Sequence, residues 1–303
     1  MPSEPNIESR EVERKDGPPR VRIVEVGPRD GLQNISAILA TEDKIRFVDM
    51  LAQSGLHDIE VSSFVNPRRV PQLSDADAVF AGLIKRNGVR YSALVPNQRG
   101  LERAIAAGVD GVALFTAASD AFALRNIGRT IEQSLSDFRL LTPAAKSAGL
   151  IVRAYVSMAF VCPFEGRIAP DVVVRVVSQL LQMGVDEISI GDTIGSAGPA
   201  DVTRLTGALL PLLPVQRFAY HFHDTLGGAL ANVRAALESG ISIFDSSAGG
   251  LGGCPFAPGA PGNLATEDLL ELLADLGNDS GVDIDRVRSA TAFVRSRIVR
   301  KQE

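Results

Sequence analysis

The sequence predicts an α/β fold, a (β/α)8 barrel of the TIM type with extra helices at its C-terminal end. Three observations lead to this prediction. Short segments rich in β-branched and apolar residues occur eight times, segments with apolar residues at helical spacing lie between them, and glycines mark the turns from helix to strand. Between Gly55 and Gly240 the repeat averages about 31 residues, which is the length of one βα unit.

The eight predicted strands are short enough to be buried strands of a parallel sheet. They cover residues 21–27, 58–64, 91–96, 112–117, 151–160, 187–192, 218–224 and 243–248. Glycine, which adopts the left-handed conformation of a helix C-terminus, is predicted to end helices at positions 55, 88, 108, 149, 184, 240 and 277. Two further helical segments, one from Thr266 and one from about Ile284, follow the last strand.

An open, doubly wound sheet is the alternative fold. Such sheets usually have fewer strands and carry a phosphate-binding fingerprint after the first one. Here the first strand ends in Gly27-Pro28-Arg29-Asp30-Gly31, which contains neither G-x-G-x-x-G nor Gly-Lys-Ser/Thr. The pattern therefore favours the barrel.

The composition indicates a soluble globular protein. The 303 residues are 45% hydrophobic and carry a net charge of −5, which argues against nucleic acid or an anionic membrane as the main partner. No apolar run reaches the roughly 18 residues of a membrane span, and two cysteines suggest a reducing compartment. Residues 1–19 fit neither a secretory signal nor a transit peptide. We expect a disordered tail at 1–19, one catalytic domain at 20–303 and a cytoplasmic location.

Two strand ends carry residues typical of a catalytic site, because the C-terminal ends of the strands form the active site of a barrel. The first strand delivers Arg29 and Asp30 side by side, although an ordinary exposed turn is the alternative. The seventh contains His221 and His223, which strand alternation places on one face, so that both imidazoles can reach one metal ion. The third histidine, His57, is predicted to be structural or exposed.

Two carboxylates are predicted to be buried and therefore to need partners. Asp192 ends the sixth strand, and Glu60 lies within the second. Arg29 is a candidate partner for one of them and Arg153 for the other. For Glu60, an ion-pair network inside the barrel and direct catalysis are equally compatible with the sequence.

Residues 249–263 are predicted to form a hinged lid, because six of these fifteen residues are glycine and three are proline. Cys254 lies near the centre of this loop, between Gly-Gly and Pro. Such a thiol has little to pack against, so we interpret it as reactive. Cys162, which follows an apolar strand, is instead predicted to pack in the core.

Several motifs, in order along residues 20 to about 285, resemble the 3-hydroxy-3-methylglutaryl-CoA lyases. This family belongs to the metal-dependent barrel lyases, which also include the isopropylmalate and homocitrate synthases. The Arg-Asp and His-x-His elements are shared by the wider group, whereas the Gly-Gly-Cys-Pro loop distinguishes the lyase branch. The motifs are EVGPRDGLQN at 25–34, SFVNP at 63–67, CPFEG at 162–166, GDTIG at 191–195, HFHDT at 221–225, and the loop 250–263 followed by LATED.

The resemblance implies a set of site residues. The metal ligands would be Asp30, His221, His223 and Asn263; Arg29 would be the electrophile, Cys254 the acid, and Gln33, Glu60 and Asp192 supporting polar groups. Two imidazoles, a carboxylate and an amide oxygen suit Mg²⁺ or Mn²⁺, with Zn²⁺ as an alternative. The implied partner is an acyl-CoA thioester, and a homo-oligomer is compatible with the sequence.

The implied reaction breaks the bond between the second and third carbons of a β-hydroxy acyl thioester, with acetyl-CoA and acetoacetate, or the corresponding keto acid, as products. It is a step of leucine catabolism. Asp30, His221 and Asp192 all qualify by type as acceptors of the hydroxyl proton. A condensing synthase of the same group and a ligand-binding barrel without catalysis are the alternatives. The Cys254 loop weighs against the first, and the presence of every matched polar residue weighs against the second.

Overall fold

The computed structural model describes residues 21–252 and 262–300. Eight parallel strands close into a barrel in the order β1-β10-β9-β8-β5-β4-β3-β2, and β6 and β7 form a separate antiparallel hairpin. The predicted (β/α)8 barrel is therefore confirmed. The strands are β1 (Arg22–Glu25), β2 (Asp58–Ser63), β3 (Arg90–Leu94), β4 (Gly111–Ala117), β5 (Ile151–Ser157), β6 (Val161–Cys162), β7 (Gly166–Arg167), β8 (Glu187–Asp192), β9 (Phe218–Phe222) and β10 (Ile243–Ser246).

Helices alternate with the strands and form the outer layer. They are α1 (Thr41–Gln53), α2 (Ala76–Gly82), α3 (Gln98–Ala106), α4 (Asp120–Ile127), α5 (Ile131–Ser147), α6 (Pro170–Gln182), α7 (Pro199–Leu209), α8 (Ala229–Glu238), α9 (Thr266–Asp275) and α10 (Ile284–Arg300). All seven glycines predicted to end helices have positive φ, between 69° and 94°. At Gly55 a side chain would also collide, because a Cβ there would lie 2.5 Å from the backbone oxygen of Gly281.

The main apolar core lies between the strands and the surrounding helices, where Phe47 and Leu51 of α1 and Phe244 of β10 are fully buried. Val24 and Ile243 belong to a small separate apolar cluster. The strands also bury many polar side chains, among them Glu60, Arg153, Glu187, Ser189 and Asp245. These buried polar groups need partners inside the protein.

The predicted C-terminal helices are present as α9 and α10. Helix α10 packs against α1, where the guanidinium of Arg46 lies 4.7 Å from the ring centroid of Phe293 and Arg297 forms an ion pair of 3.2 Å with Asp43. These contacts attach the end of the described chain to the first helix of the barrel.

The fifth strand is shorter than predicted, since β5 ends at Ser157 rather than at residue 160. Met158 has a φ of 54°, and it is the one non-glycine residue with positive φ in 21–252 and 262–300. Its N–H donates to Thr193 Oγ1 at 2.9 Å, so the chain turns out of the sheet here and continues into the β6–β7 hairpin.

The tail at 1–19 and Cys254 lie outside the described residues, and the division of the chain into a tail and one catalytic domain at 20–303 stays a prediction. Among the described residues, no helix has the length and apolar character required to cross a membrane.

Candidate active site

Three of the predicted metal ligands meet at the carboxyl ends of β1 and β9. Asp30 lies in the short helical turn Gly27–Gly31 that follows β1, His221 is in β9, and His223 comes directly after that strand. One potential ligand atom from each side chain lies within 4.8 Å of the other two. The two imidazole rings are 5.2 Å apart, centroid to centroid. The three side chains can therefore bind one ion.

Asn263, the fourth predicted ligand, contacts the same group. Its Nδ2 donates to Asp30 Oδ2 at 2.8 Å and to the backbone oxygen of Leu251 at 3.0 Å. A Cβ at Gly252 would lie 2.5 Å from this Nδ2, and the φ of Gly252 is +105°. Glycine at position 252 thus leaves the space that Asn263 occupies.

The unused polar atoms of this cluster fit a cation. Asn263 Oδ1 and His223 Nδ1 are buried and have no hydrogen-bond partner within the described part of the chain. A buried polar atom without a partner costs about 1–3 kcal/mol, which a bound ligand would offset. Carboxylate and amide oxygens together with imidazole nitrogens form a donor set that divalent cations accept.

The protonation states of the cluster also suit a cation. Burial and the neighbouring His221 lower the pKa of His223 to about 3, so His223 is neutral near pH 7, which is the form that binds metals. Burial alone would raise the pKa of Asp30, but Arg29 and His221 outweigh it and hold that pKa below its ordinary value. Asp30 is therefore an ionised carboxylate.

Arg29 lies beside the cluster, with only 4% of its surface exposed. Its Nε donates to Glu60 and its Nη1 to Asp30, and its guanidinium lies 5.4 Å from the ring centroid of Tyr155. The Tyr155 hydroxyl donates to Glu60 Oε2 at 2.8 Å. The predicted pair between Arg29 and a buried carboxylate is confirmed, and the carboxylate is Glu60.

The other predicted pair is wrong. Arg153 does not bind Asp192 but donates to Glu187 and to Asp245, at 2.6 Å each. Asp192 accepts the backbone N–H groups of residues 196 and 197 at 3.1 and 2.9 Å, and burial raises its pKa to about 6. Asp192 stands at the strand end, where the next loop supplies donors, whereas Arg153 is the register partner of Glu187.

Asp245 is a residue that the sequence interpretation missed. It lies in β10 as the register partner of His221, and its Oδ2 lies 3.2 Å from His221 Nδ1. A signal was available, because Asp245 is an acid inside a predicted strand, directly after the apolar residues Ile243 and Phe244. The argument that identified Glu60 in the second strand applies equally to Asp245.

A cavity of about 780 Å³ extends from the cluster to the protein surface. Arg29, Asp30 and Gln33 line its inner end, and Gln33 Nε2 donates to Asp30 Oδ1 at 2.9 Å. The same three residues also line a smaller cavity of about 90 Å³ that contains His221 and His223. Other residues of the large cavity include Asn34, Asn66, Arg69, Asn126 and Arg129.

The remaining histidine and the described cysteine lie apart from this cluster. His57 is exposed, and its Nδ1 lies 3.0 Å from the backbone oxygen of Gly88. Cys162 is buried, with its sulfur 3.0 Å from Ser119 Oγ. Both agree with the structural roles predicted for them.

A family model described as HMGL-like matches residues 20–294. The chain belongs to the HMGL-like family. Over 277 residues it is 49% identical to the mitochondrial hydroxymethylglutaryl-CoA lyase of Bos taurus, an alignment that covers 91% of this chain and 85% of that protein. The resemblance inferred from the motifs is thereby confirmed.

Solved structures of HMGL-like lyases have the same fold. The crystal structure of the HMG-CoA lyase of Bacillus subtilis matches with a TM-score of 0.91 and 44% identity, covering 92% of this chain and 94% of that one. An HMG-CoA lyase from Acinetobacter baumannii, in complex with coenzyme A and 3-methylmalate, matches with a TM-score of 0.88 and 35% identity, covering 92% of each chain.

Proposed function

We propose that this protein is a divalent-metal-dependent carbon–carbon lyase that cleaves 3-hydroxy-3-methylglutaryl-CoA, or a close 3-hydroxyacyl-CoA analogue, to acetyl-CoA and acetoacetate or the corresponding keto acid. The observation that carries the proposal is the meeting of Asp30, His221 and His223 beside the buried guanidinium of Arg29 at the end of one cavity. Relatives named hydroxymethylglutaryl-CoA lyase support it.

Asp30, His221, His223 and Asn263 would hold the metal. Two oxygen donors favour Mg²⁺ or Mn²⁺, with Zn²⁺ as the alternative. When bound, the ion would acidify the 3-hydroxyl group of the substrate and bind its carboxylate. Gln33 would keep Asp30 oriented through its 2.9 Å hydrogen bond.

Arg29 would stabilise the charge that develops during cleavage. As the bond between the second and third carbons breaks, its electron pair moves into the thioester enolate. Two of the five N–H groups of Arg29 are directed at Glu60 and Asp30, and the described residues leave the others available to the enolate oxygen. One well-placed donor of this kind contributes about 3 kcal/mol.

Two proton transfers complete the cleavage reaction. The hydroxyl proton leaves the substrate as acetoacetate forms, and the enolate carbon takes a proton from Cys254, which gives acetyl-CoA. Among the three candidate acceptors, Asp30 and His221 line the cavities, whereas Asp192 is 1% exposed and accepts two backbone N–H groups. A His221 that binds the metal through one ring nitrogen and faces Asp245 with the other has no nitrogen free to accept a proton. We therefore assign proton acceptance to Asp30, and to Asp192 the support of the loop after β8.

The coenzyme A portion would extend outward along the large cavity. Its phosphates are anionic, and the exposed guanidinium groups of Arg69 and Arg129 line the outer part of this cavity. A local positive charge of this kind can attract an anionic substrate to a protein whose net charge is −5. We propose a cytoplasmic enzyme, although animal relatives bear both mitochondrial and cytoplasmic names.

The test is direct. Purified protein is incubated with 3-hydroxy-3-methylglutaryl-CoA and either Mg²⁺ or Mn²⁺, and acetyl-CoA and acetoacetate are quantified by mass spectrometry. We expect equal amounts of both products, none after treatment with a chelator, and recovery when the metal is returned. Full activity in metal-free protein, or product from acetyl-CoA plus a keto acid without any cleavage, would contradict the proposal.

A further inference from the structure

Asp245 is a fully buried carboxylate that touches a candidate metal ligand without belonging to the ligand set. Its Oδ2 accepts the Ser189 hydroxyl at 2.8 Å and lies 3.2 Å from His221 Nδ1, and its Oδ1 accepts Arg153 Nη2 at 2.6 Å. Asp245 and His221 are also register partners on β10 and β9. The backbone therefore sets their side chains side by side.

These contacts determine which nitrogen of His221 carries the proton. Asp245 pairs closely with the guanidinium of Arg153, so it is an ionised carboxylate that can only accept hydrogen bonds. The nitrogen of His221 that faces it, Nδ1, must therefore be the donor. The lone pair of the imidazole is then on Nε2, the other ring nitrogen.

We propose that Asp245 is a positioning residue that fixes the Nδ1–H tautomer and the ring orientation of His221, so that Nε2 is the ligand atom for the divalent cation. This proposal rests on the metal site of the proposed function. Outer partners of this kind hold a ligand in its binding geometry, and their loss usually costs 10- to 100-fold in metal affinity.

The second histidine offers a contrast within the same site. His223 Nδ1 is buried, and the described ranges 21–252 and 262–300 provide no hydrogen-bond partner for it. Within those ranges, only one of the two imidazoles is oriented by a carboxylate. Loss of that carboxylate should therefore affect the metal through His221.

Asp245 is also connected to the proposed electrophile. Arg153 donates to Asp245 and to the Tyr155 hydroxyl, the latter at 3.0 Å, and Tyr155 donates to Glu60, which in turn accepts from Arg29. One continuous set of buried hydrogen bonds thus holds both His221 and Arg29. This arrangement fixes the metal side and the enolate side of the site relative to each other.

Two substitutions separate positioning from packing. In Asp245→Asn the amide oxygen must stay with Arg153, so the NH₂ group faces His221 and donates to Nδ1. This selects the tautomer with the proton on Nε2, so that Nε2 has no lone pair for the metal. Asp245→Ala leaves a cavity but lets water accept from Nδ1. A positioning role therefore predicts weaker metal binding in Asp245→Asn than in Asp245→Ala, although the asparagine side chain fills the volume of the aspartate better than alanine does.

The affinity for Mn²⁺ is measured on metal-free protein without substrate, by calorimetry or electron paramagnetic resonance. We expect the Kd to rise 10- to 100-fold in Asp245→Asn and less in Asp245→Ala, whereas the melting temperature falls more in Asp245→Ala. If Asp245→Ala has both the higher Kd and the lower melting temperature, the role of Asp245 is structural and the proposal is wrong.

Asp58→Asn is the matched control. Asp58 is a buried carboxylate of β2 that pairs with Arg22 and Arg90 at 3.0 Å each and contacts none of the ligands among the described residues. Its substitution should lower the melting temperature and leave the Kd for Mn²⁺ unchanged. A comparable rise of the Kd in Asp58→Asn would show that any loss of a buried carboxylate weakens the site.

A second readout is independent of whether the variants fold. Long-range ¹H–¹⁵N correlation spectra of metal-free wild-type protein report the tautomer of each imidazole, and we expect Nδ1–H at His221. An Nε2–H tautomer there would overturn the proposal. Intact Mn²⁺ binding with no cleavage of 3-hydroxy-3-methylglutaryl-CoA would instead overturn only the proposed function.

Discussion

Arg29 is a side chain whose position is fixed from three sides, by Glu60, by Asp30 and by the ring of Tyr155. We predict that Arg29→Gln retains the fold and the metal, because glutamine keeps an N–H donor for Glu60. The kcat should fall about 10²- to 10³-fold, since the charge opposite the enolate is lost. Steady-state kinetics and Mn²⁺ titration measure both effects. A collapse of the melting temperature would instead indicate a purely structural ion pair.

Cys254 belongs to the glycine-rich loop, and its role as the acid is inferred from the sequence. Serine is nearly isosteric with cysteine but a much weaker acid, so Cys254→Ser should lower kcat by about 10²- to 10⁴-fold and retain metal binding. Alkylating reagents should inactivate the wild type, and substrate should protect it. Cys162→Ser is the matched control and should stay sensitive to alkylation. A Cys254→Ser variant with the wild-type rate would show that the loop supplies no acid.

At the scale of single residues, the sequence predicted the site residues and the strand ends that carry them more accurately than it predicted which side chains pair with each other. Asp30, His221 and His223 follow from local patterns, and the structure brings them together. The partner of Arg153 was wrongly predicted, and the pairing of Asp245 with His221 was not predicted, because both pairings depend on the register between neighbouring strands. Local patterns do not contain that register.

At the scale of elements, Glu25 joins the end of β1 to the loop after β10 and to α9. It accepts the N–H groups of Gly27 and Ala248, at 2.7 and 2.9 Å, and the Thr266 hydroxyl at 2.7 Å. Burial raises the pKa of Glu25 from an ordinary 4.5 to about 7. Between pH 4.5 and about pH 7, Glu25 is therefore protonated in the folded protein and ionised in the unfolded chain.

The stability should therefore depend on pH through Glu25. Its contribution is complete below about pH 4.5 and is lost as the pH rises through 7, by up to about 3 kcal/mol at 1.36 kcal/mol per pKa unit. In Glu25→Gln this part of the pH dependence should vanish, because the amide is always neutral. Urea unfolding of both proteins between pH 5 and pH 8 measures the difference. Parallel stability curves would contradict this prediction.

Gly252 precedes the part of the loop that is not described and contacts Asn263. We predict that Gly252→Ala weakens Mn²⁺ binding, because its Cβ would lie 2.5 Å from Asn263 Nδ2. Gly88→Ala is the matched control, since Gly88 also has positive φ, 80°, but a Cβ there would meet no described atom within 4 Å. The two variants should lose similar stability from backbone strain, and only Gly252→Ala should change the Kd. Equal affinities would exclude a role for this contact.

The predicted strands and helices match the observed ones where the repeated alternation of strand, helix and glycine turn supports the prediction. Helix ends at glycine and the eight strands follow from local composition. The early end of β5 could not be predicted, because residues 158–160 are as apolar as the strand itself. The turn at Met158 depends on its hydrogen bond to Thr193, which lies in the loop after β8, the next strand of the barrel.

At the scale of the whole molecule, the net charge is −5, yet Arg69 is exposed at the large cavity with no ion pair to any described residue. We predict that Arg69→Glu raises the KM for the CoA ester several-fold and leaves kcat nearly unchanged, with a smaller effect at high salt. Arg175→Glu makes the same charge change on α6, away from the cavity, and should have little effect. Equal changes of KM in both variants would indicate a nonspecific effect of net charge.

The closure of the barrel also has a consequence for the order of events during folding. Asp30 and Asn263 are 233 residues apart in the sequence, and β1 must pair with β10 before they can meet. Such distant contacts form late, because the loop they close is long. A chain still emerging from the ribosome without its last strand, or a proteolytic fragment lacking it, cannot assemble all four donors, so the complete set of donors forms only after residue 263 has been added.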